Sequence, residues 1–268
     1  MKVIRVKDAY KSYGKVHALN GVSFECSKGL IACFGVNGSG KTTLVKLMSG
    51  LMKPDRGEFE ILGKKVIKNG LPEGVGVAFE RVQLPPYFQG VDFLRRICEL
   101  KGVDEGEMRR VVKELKIEDI VNKRIGALSQ GNRKRIAVSQ AFIGEPELII
   151  LDDPFANIDI HYSLFLEDYI MRYVKEHDST IFLTTHHLIH LKPDEYMVLS
   201  QGNLIAHRRA EELKFGKPLK YHLVKNGMRI MVEDISALKK ELNEGAEMVS
   251  VDVYTYADWI KELSEYQL

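Results

Sequence analysis

The chain has 268 residues, more than a usual single domain, which points to one large α/β domain with a small appendage. Its 39 Lys and Arg residues balance 37 Asp and Glu to a net charge of +2, so there is no global field for nucleic acid and no nucleic-acid partner is expected. The longest apolar stretches, such as Leu30–Phe34 and Leu148–Leu151, are strand-sized and fall far short of the ~20 residues of a membrane helix.

Met1–Val6 enters a strand pattern directly, without the basic region and apolar core of a signal peptide. Further strands are predicted over Val22–Cys26, Leu30–Phe34 and Phe59–Leu62, with turns at Tyr13-Gly14, Lys28-Gly29, Pro54–Gly57 and Leu62-Gly63. Thr43–Leu51 reads as a helix, and Val75–Phe79 as a buried strand running into Pro85-Pro86. Apolar residues then recur at helical spacing over Val91–Lys101, Glu105–Leu115 and Ile117–Asn122, which predicts a compact helical segment. From Ile136 onward helix and strand alternate, with helices at Ile136–Gly144 and Tyr162–Glu176 and strands at Leu148–Asp152, Ile181–Thr185 and Met197–Ser200. That alternation argues a mainly parallel sheet. Gly216–Pro218 reads as a boundary; beyond it come strands at His222–Val224, Arg229–Val232 and Ser250–Tyr254 and helices at Ile235–Leu242 and Ala257–Tyr266. Cys26, Cys33 and Cys98 lack metal or disulfide spacing and suit small buried residues in a reducing cytoplasm.

Gly35–Thr43 reads Gly-Val-Asn-Gly-Ser-Gly-Lys-Thr-Thr between an apolar strand and a helix, which is the required context of a phosphate-binding loop. Its glycines let successive N–H groups turn inward toward an anion. Lys41 adds a point charge for β- and γ-phosphates, and the Thr42 hydroxyl suits Mg²⁺. The expected ligand is a nucleoside triphosphate.

Downstream, Leu128-Ser129-Gln130-Gly131 precedes a helix that starts at its polar end, Leu148–Leu151 leads into Asp152-Asp153-Pro154, and Ile181–Leu183 leads into Thr184-Thr185-His186. Four motifs in this order resemble the ATP-binding cassette (ABC) family over about residues 1–215. The resemblance implies an α/β fold of P-loop NTPase type with an N-terminal antiparallel β region, a helical subdomain at about residues 88–140, and a small α+β appendage over residues 216–268. It implies ATP and Mg²⁺ as ligands. ATP contacts then fall to Asn37, Gly38, Ser39, Gly40, Lys41, Thr42 and Thr43, with Tyr13 stacking on adenine and Tyr10 as its rival. Thr42, Glu80 and Asp152 would hold the metal, Asp152 from the carboxyl end of a central strand.

Asp153 occupies the catalytic glutamate position one methylene short, which puts turnover at issue rather than binding. Glu80 stands where the family has a γ-phosphate-sensing glutamine, and His186 resembles the switch histidine. In the head-to-tail dimer that the resemblance implies, Ser129, Gln130 and Gly131 act on the ATP of the partner subunit, and Asp159 communicates across the interface. Asn132, Gln140, Phe155 and Ala156 depart from the common family residues.

The implied function is the ATP-binding and hydrolysing subunit of an ABC transporter, working as a homodimer or heterodimer. A separate integral membrane subunit would dock near Glu80–Phe88 at the inner face of the cell membrane. The tail Asp252–Leu268 resembles that of exporter-type cassettes and favours export. The alternative is a soluble ABC ATPase acting on nucleic acid, ribosomes or cofactor assembly. Against it stand a single cassette, the absence of a basic linker, and a Glu80–Leu128 interval too short for coiled-coil arms. His186, His187 and His190 invite a metal reading, but Pro193 limits any helix there and no third ligand follows. Arg133, Lys134 and Arg135 read as a solvated face after the signature.

Overall fold

The computed structural model describes residues 2–68, 70–81, 83–186, 191–212, 220–232, 235–244 and 246–252. Two compact units are distinct, one spanning Met1–His186 and Leu191–Ala210, the other taking the chain from Glu211. The expected boundary at Gly216–Pro218, the final helix Ala257–Tyr266, and His187 and His190 lie outside the described residues.

The first unit opens with a long hairpin, β1 (Lys2–Tyr13) and β2 (Val16–Ser27), followed by β3 (Leu30–Phe34), α1 (Lys41–Met48), β4 (Arg56–Ile61), the short β5 (Lys64–Lys65) and β6 (Val75–Ala78). A helical stretch comes next, with α2 (Gly90–Lys101), α3 (Glu105–Glu114), α4 (Glu118–Val121) and α5 (Gln130–Ser139). β7 (Leu148–Asp152), α6 (Ile160–Glu176), β8 (Thr180–Thr185), β9 (Glu195–Ser200) and β10 (Asn203–Arg209) complete the unit. Among its described residues the second unit holds β11 (Lys220–Lys225), β12 (Met228–Val232), α7 (Ile235–Asn243) and β13 (Glu247–Asp252), an antiparallel sheet of order β12-β11-β13 with one helix.

Two sheets build the first unit. The antiparallel one runs β2-β1-β4-β5, and the central one runs β10-β9-β3-β8-β7-β6. All central pairs are parallel except β10 with β9. β3, β7 and β8 are buried along their whole length, which is why they read as continuous apolar runs rather than as alternating ones. Val6, Phe24 and Phe59 of the antiparallel sheet join Ile31, Ile150 and Phe182 of the central sheet and Leu44 and Leu47 of α1 in one core. Cys26, Cys33 and Cys98 are free and buried, as expected.

Several boundaries differ from the sequence expectation for local reasons. The hairpin strands run on to Tyr13 and start at Val16 because polar residues continue the ladder pairing past the apolar patches. α5 starts at Gln130 rather than Ile136, since the Ser129 Oγ caps it by accepting from the Asn132 N–H at 3.2 Å. It ends at Ser139, and a tight turn over Gln140–Phe142 replaces the last expected helical turn. β10 carries too many polar residues to stand out. It is specified by the turn at Gln201-Gly202, where both residues have positive φ (47° and 78°), the requirement of a tight hairpin.

The helical stretch is clamped to the unit by α3 and an aromatic cluster. Arg110 donates to Glu107 at 2.9 Å, to Glu114 at 2.8 Å and to the Phe142 carbonyl at 3.4 Å. Phe142 sits edge-on against Tyr169 (centroids 5.2 Å) and Tyr173 (4.9 Å), all three buried. Phe142→Ala is expected to destabilise the chain by about 3–5 kcal/mol, the range for a buried aromatic truncated to a cavity. Urea unfolding followed by circular dichroism measures it.

Candidate functional site

The buried strand β3 delivers Gly35, and the chain turns through residues 35–40 into α1. Gly38 and Gly40 have φ of +81° and +109°, and a Cβ at residue 40 would stand 2.3 Å from the Ala18 carbonyl oxygen. Only glycine fits there. Gly40 is the N-cap of α1, no side chain caps the helix, and its first turn carries no acid. The N–H groups and positive dipole end of α1 are thus offered to an anion.

The helix starts at Lys41, two residues before the expected Thr43. The Lys41 Nζ donates to the Gly35 carbonyl at 2.6 Å and the Val36 carbonyl at 3.1 Å. Burial takes this ammonium below its ordinary pKa, while Cys33, Asp153, Asp152 and Glu80 act in the opposite sense. Ser39 has a buried Oγ without a partner and a carbonyl that accepts from the Gly202 N–H at 3.0 Å. The loop is therefore braced from behind by the β9–β10 turn.

β7 ends in the two acids. Asp152 is 1% exposed; its Oδ1 accepts from the Thr184 hydroxyl at 2.6 Å, and its Oδ2 is buried without a partner. Asp153 follows with φ of 45°, a left-handed conformation that aspartate tolerates better than most residues. Its N–H is shared between the Thr184 carbonyl and hydroxyl oxygens, both at 3.1 Å. Its Oδ2 lies 2.6 Å from the His186 Nδ1. The structure thus brings Asp153 and His186 together as a carboxylate–imidazole pair, with Nε2 as the nitrogen turned away from the carboxylate. Glu80, just past β6, has its carboxylate 3.7 Å from Arg81. Thr42, Glu80 and Asp152 line one cleft of about 350 Å³, together with Lys46, Leu51, Phe79 and Arg81.

The remaining candidates lie elsewhere. Tyr13 sits at the β1–β2 turn, 47% exposed, its hydroxyl donating to the Met52 Sδ at 2.9 Å. The rival Tyr10 is less exposed, with its hydroxyl lying over Gly21. Ser129 and Gln130 are exposed at the start of α5, and Gly131 approaches the Asn157 carbonyl so closely that a Cβ would stand 2.6 Å from it. None of these three signature residues lines the Thr42–Asp152 cleft. Asp159 caps α6 by accepting from the Tyr162 N–H at 2.8 Å.

The basic run after the signature is not the solvated face expected of it. Arg133 is exposed, but Lys134 is 6% exposed. Arg135 donates to the Asn132 Oδ1 at 3.2 Å and lies 4.2 Å over the Tyr162 ring. The Lys134 Nζ donates to the carbonyls of Asp152 (3.0 Å), Phe79 (3.2 Å) and Glu80 (3.3 Å). Burial lowers its pKa to about 8, with Asp152, Asp153 and Glu80 opposing the shift. The one signal in the sequence was its place, one helical turn before Val138 on the apolar side of α5.

The ABC transporter family pattern matches residues 19–156. The xylose/arabinose import ATP-binding protein XylG of Sulfolobus acidocaldarius is 31% identical over 227 residues, covering 78% of this chain and 89% of that protein. The energy-coupling factor transporter ATP-binding protein EcfA of Methanoculleus marisnigri is 31% identical over 274 residues, covering 96% and 95%. A solved ATP binding subunit of an ABC transporter has a TM-score of 0.70 at 25% identity, covering 78% of this chain and 91% of that one. A dimeric bacterial ABC transporter cassette has the same fold, with a TM-score of 0.69 at 23% identity, 77% of this chain and 98% of that one covered. These relatives are named as transporter proteins, which does not favour the alternative of an ATPase with a nucleic-acid, ribosomal or cofactor-assembly partner. The export direction expected from the tail finds no support in them, and most of that tail lies outside the described residues. With the phosphate loop, the paired acids and the central sheet in agreement, the chain belongs to the ATP-binding cassette transporter family, as an ATP-hydrolysing subunit.

Proposed function

We propose that the residues at the carboxyl edge of the central sheet form one half of an ATP hydrolysis site, completed by the signature residues of a second ATPase subunit. The observation that carries this reading is the shared cleft of Thr42, Glu80 and Asp152, beside Lys41 and the Asp153–His186 pair. The buried, unpartnered Oδ2 of Asp152 and the Thr42 hydroxyl are oxygen donors of the kind Mg²⁺ requires. When bound, the ion would supply charge neutralisation at the β- and γ-phosphate oxygens.

Within that site the loop N–H groups of Asn37–Thr43 and the Lys41 ammonium would hold the phosphates, and the exposed face of Tyr13 would take the adenine. Asp153 would accept the proton of the attacking water. His186, whose Nδ1 faces the Asp153 carboxylate, would donate toward the γ-phosphate from its opposite nitrogen. Ser129 and Gln130, exposed, and Gly131, half-buried, all away from their own cleft, suit the partner subunit's nucleotide. Asp159 is engaged as a helix cap, so any signal it carries across the interface would pass through the start of α6.

Among the described residues no helix is long and apolar enough to cross a membrane. We assign the docking of a separate membrane subunit to the segment that ends in Tyr87 and Phe88, 88% and 45% exposed, next to a cleft of about 760 Å³ lined by Glu80, Arg81, Leu84, Pro86 and Arg133. We infer from the membrane partner that the subunit works at the inner face of the cell membrane. We take the functional boundary between ATPase domain and appendage to lie near residue 215.

Lys41→Ala is expected to abolish hydrolysis and weaken ATP binding in a chain that still folds, read by phosphate release and by calorimetry with ATP. Asp153→Asn and His186→Ala should each lower kcat by about 10²-fold or more with little change in ATP affinity. Because the two side chains act as one pair, the double variant should lose no more than the worse single one. The Asp153→Asn chain, loaded with Mg²⁺-ATP, should run as a dimer in light scattering; a strict monomer at all concentrations would refute the head-to-tail arrangement. Tyr87→Ala with Phe88→Ala should release the chain from the membrane fraction of native cells, and unchanged recovery there would move the docking surface elsewhere.

A further inference from the structure

Lys134 lies inside the protein at the point where three segments meet. It is the fifth residue of α5, and its side chain leaves the polar start of that helix for the interior. The three carbonyls it meets, those of Phe79, Glu80 and Asp152, are at or just past the ends of β6 and β7. These strands are parallel neighbours paired through Ala78 and Leu151. Past that pair the ladder stops, and backbone carbonyls at the carboxyl edge need another donor. An ammonium has three donors and no acceptor, so it matches three carbonyls without remainder. An amide would match two of them, and a thioether none.

We propose that Lys134 is a positioning residue of ATP hydrolysis, fixing the spacing between the strand ends that present Glu80 and Asp152-Asp153 and tying that spacing to the helix that carries the signature residues. The inference rests on the reading that those acids serve the nucleotide. Lys134 does not line the Thr42–Asp152 cleft. It acts through backbone, because the carbonyls of Glu80 and Asp152 belong to the residues whose side chains enter the cleft. It also sets a net positive charge beside Asp152, Asp153 and Glu80, each of which acts on its ammonium. A tilt of α5, whose first residue Gln130 is exposed, is passed on to the acids of the same subunit through this one side chain.

The test compares Lys134→Met, which keeps the apolar stem and removes every donor, with Lys134→Gln, which keeps two. Full-length variants are assayed for kcat and KM with Mg²⁺-ATP, for affinity toward a non-hydrolysable ATP analogue, and for Tm. The expected result is a fall in kcat of about tenfold or more in Lys134→Met, with analogue affinity within about threefold of the parent. Lys134→Gln should lie between the two in kcat. A Lys134→Met chain with the parent's kcat overturns the proposal, as does a parallel loss of kcat and analogue affinity, which is what a general loosening of the unit would give. A Lys134→Gln chain no faster than Lys134→Met also overturns it, because donors would then be irrelevant. If Lys134→Met does not fold, Lys134→Gln decides: a selective loss of kcat supports the role and an unchanged kcat removes it. Asp153→Asn runs alongside as the control for the underlying reading. Parental kcat in that control means the acids do not serve hydrolysis, an outcome distinct from a failure at Lys134.

Discussion

The Thr184 hydroxyl is the contact on which the geometry of the site turns. It donates to the Asp152 Oδ1 at 2.6 Å and accepts from the Asp153 N–H at 3.1 Å, so one fully buried group fixes the first acid by its side chain and the second by its backbone. The arrangement exists because β7 and β8 pair with Asp152 opposite Thr184. A slip of one residue would send either side chain to the other face of the sheet. A buried carboxylate without a partner is costly, and Thr184 supplies the hydrogen bond that Asp152 receives while its other oxygen stays available. The apolar packing of β3, β7 and β8 therefore holds the chemistry through register rather than by contact with the acids.

Charge balance extends this constraint to both neighbouring elements. Two buried lysines flank the acids, Lys41 from the phosphate loop and Lys134 from α5, and each is pulled below its ordinary pKa by burial while the acids oppose the shift. Among the described residues neither makes a direct carboxylate bond; each donates to backbone carbonyls instead. One oxygen of each acid, Asp152 Oδ2 and Asp153 Oδ1, is thereby left for metal and substrate, which a tight lysine–carboxylate pair would prevent.

Much of this was legible in the sequence because it is local. The strand–loop–helix expected over Leu30–Leu51 and the acids at the end of an apolar run follow from short-range patterns, and the structure agrees with them to within three residues. The Asp153–His186 pair was legible only as two separate motifs; that they touch depends on β7 and β8 being neighbours, a fact of topology that no spacing encodes. Lys134 was misread because charge composition describes a helix turn by its average, whereas burial depends on which side of the helix each residue takes. Arg133 and Lys134, adjacent in the chain, end one outside and one inside. Strand β10 was invisible for the complementary reason, since its edge position leaves its residues largely polar.

The brace behind the phosphate loop has an evolutionary reading. Gly202, at the tip of the β9–β10 turn, donates its N–H to the Ser39 carbonyl and accepts from the Asn20 N–H, and any Cβ there would press on the His17 and Ala18 carbonyls at 3.0 Å. Ala18 is the same residue whose carbonyl crowds Gly40. Three stretches far apart in the chain are therefore locked together, so a mutation in any one of them can survive only if the other two already accommodate it. The nucleotide cradle therefore tolerates substitution as a single block rather than residue by residue.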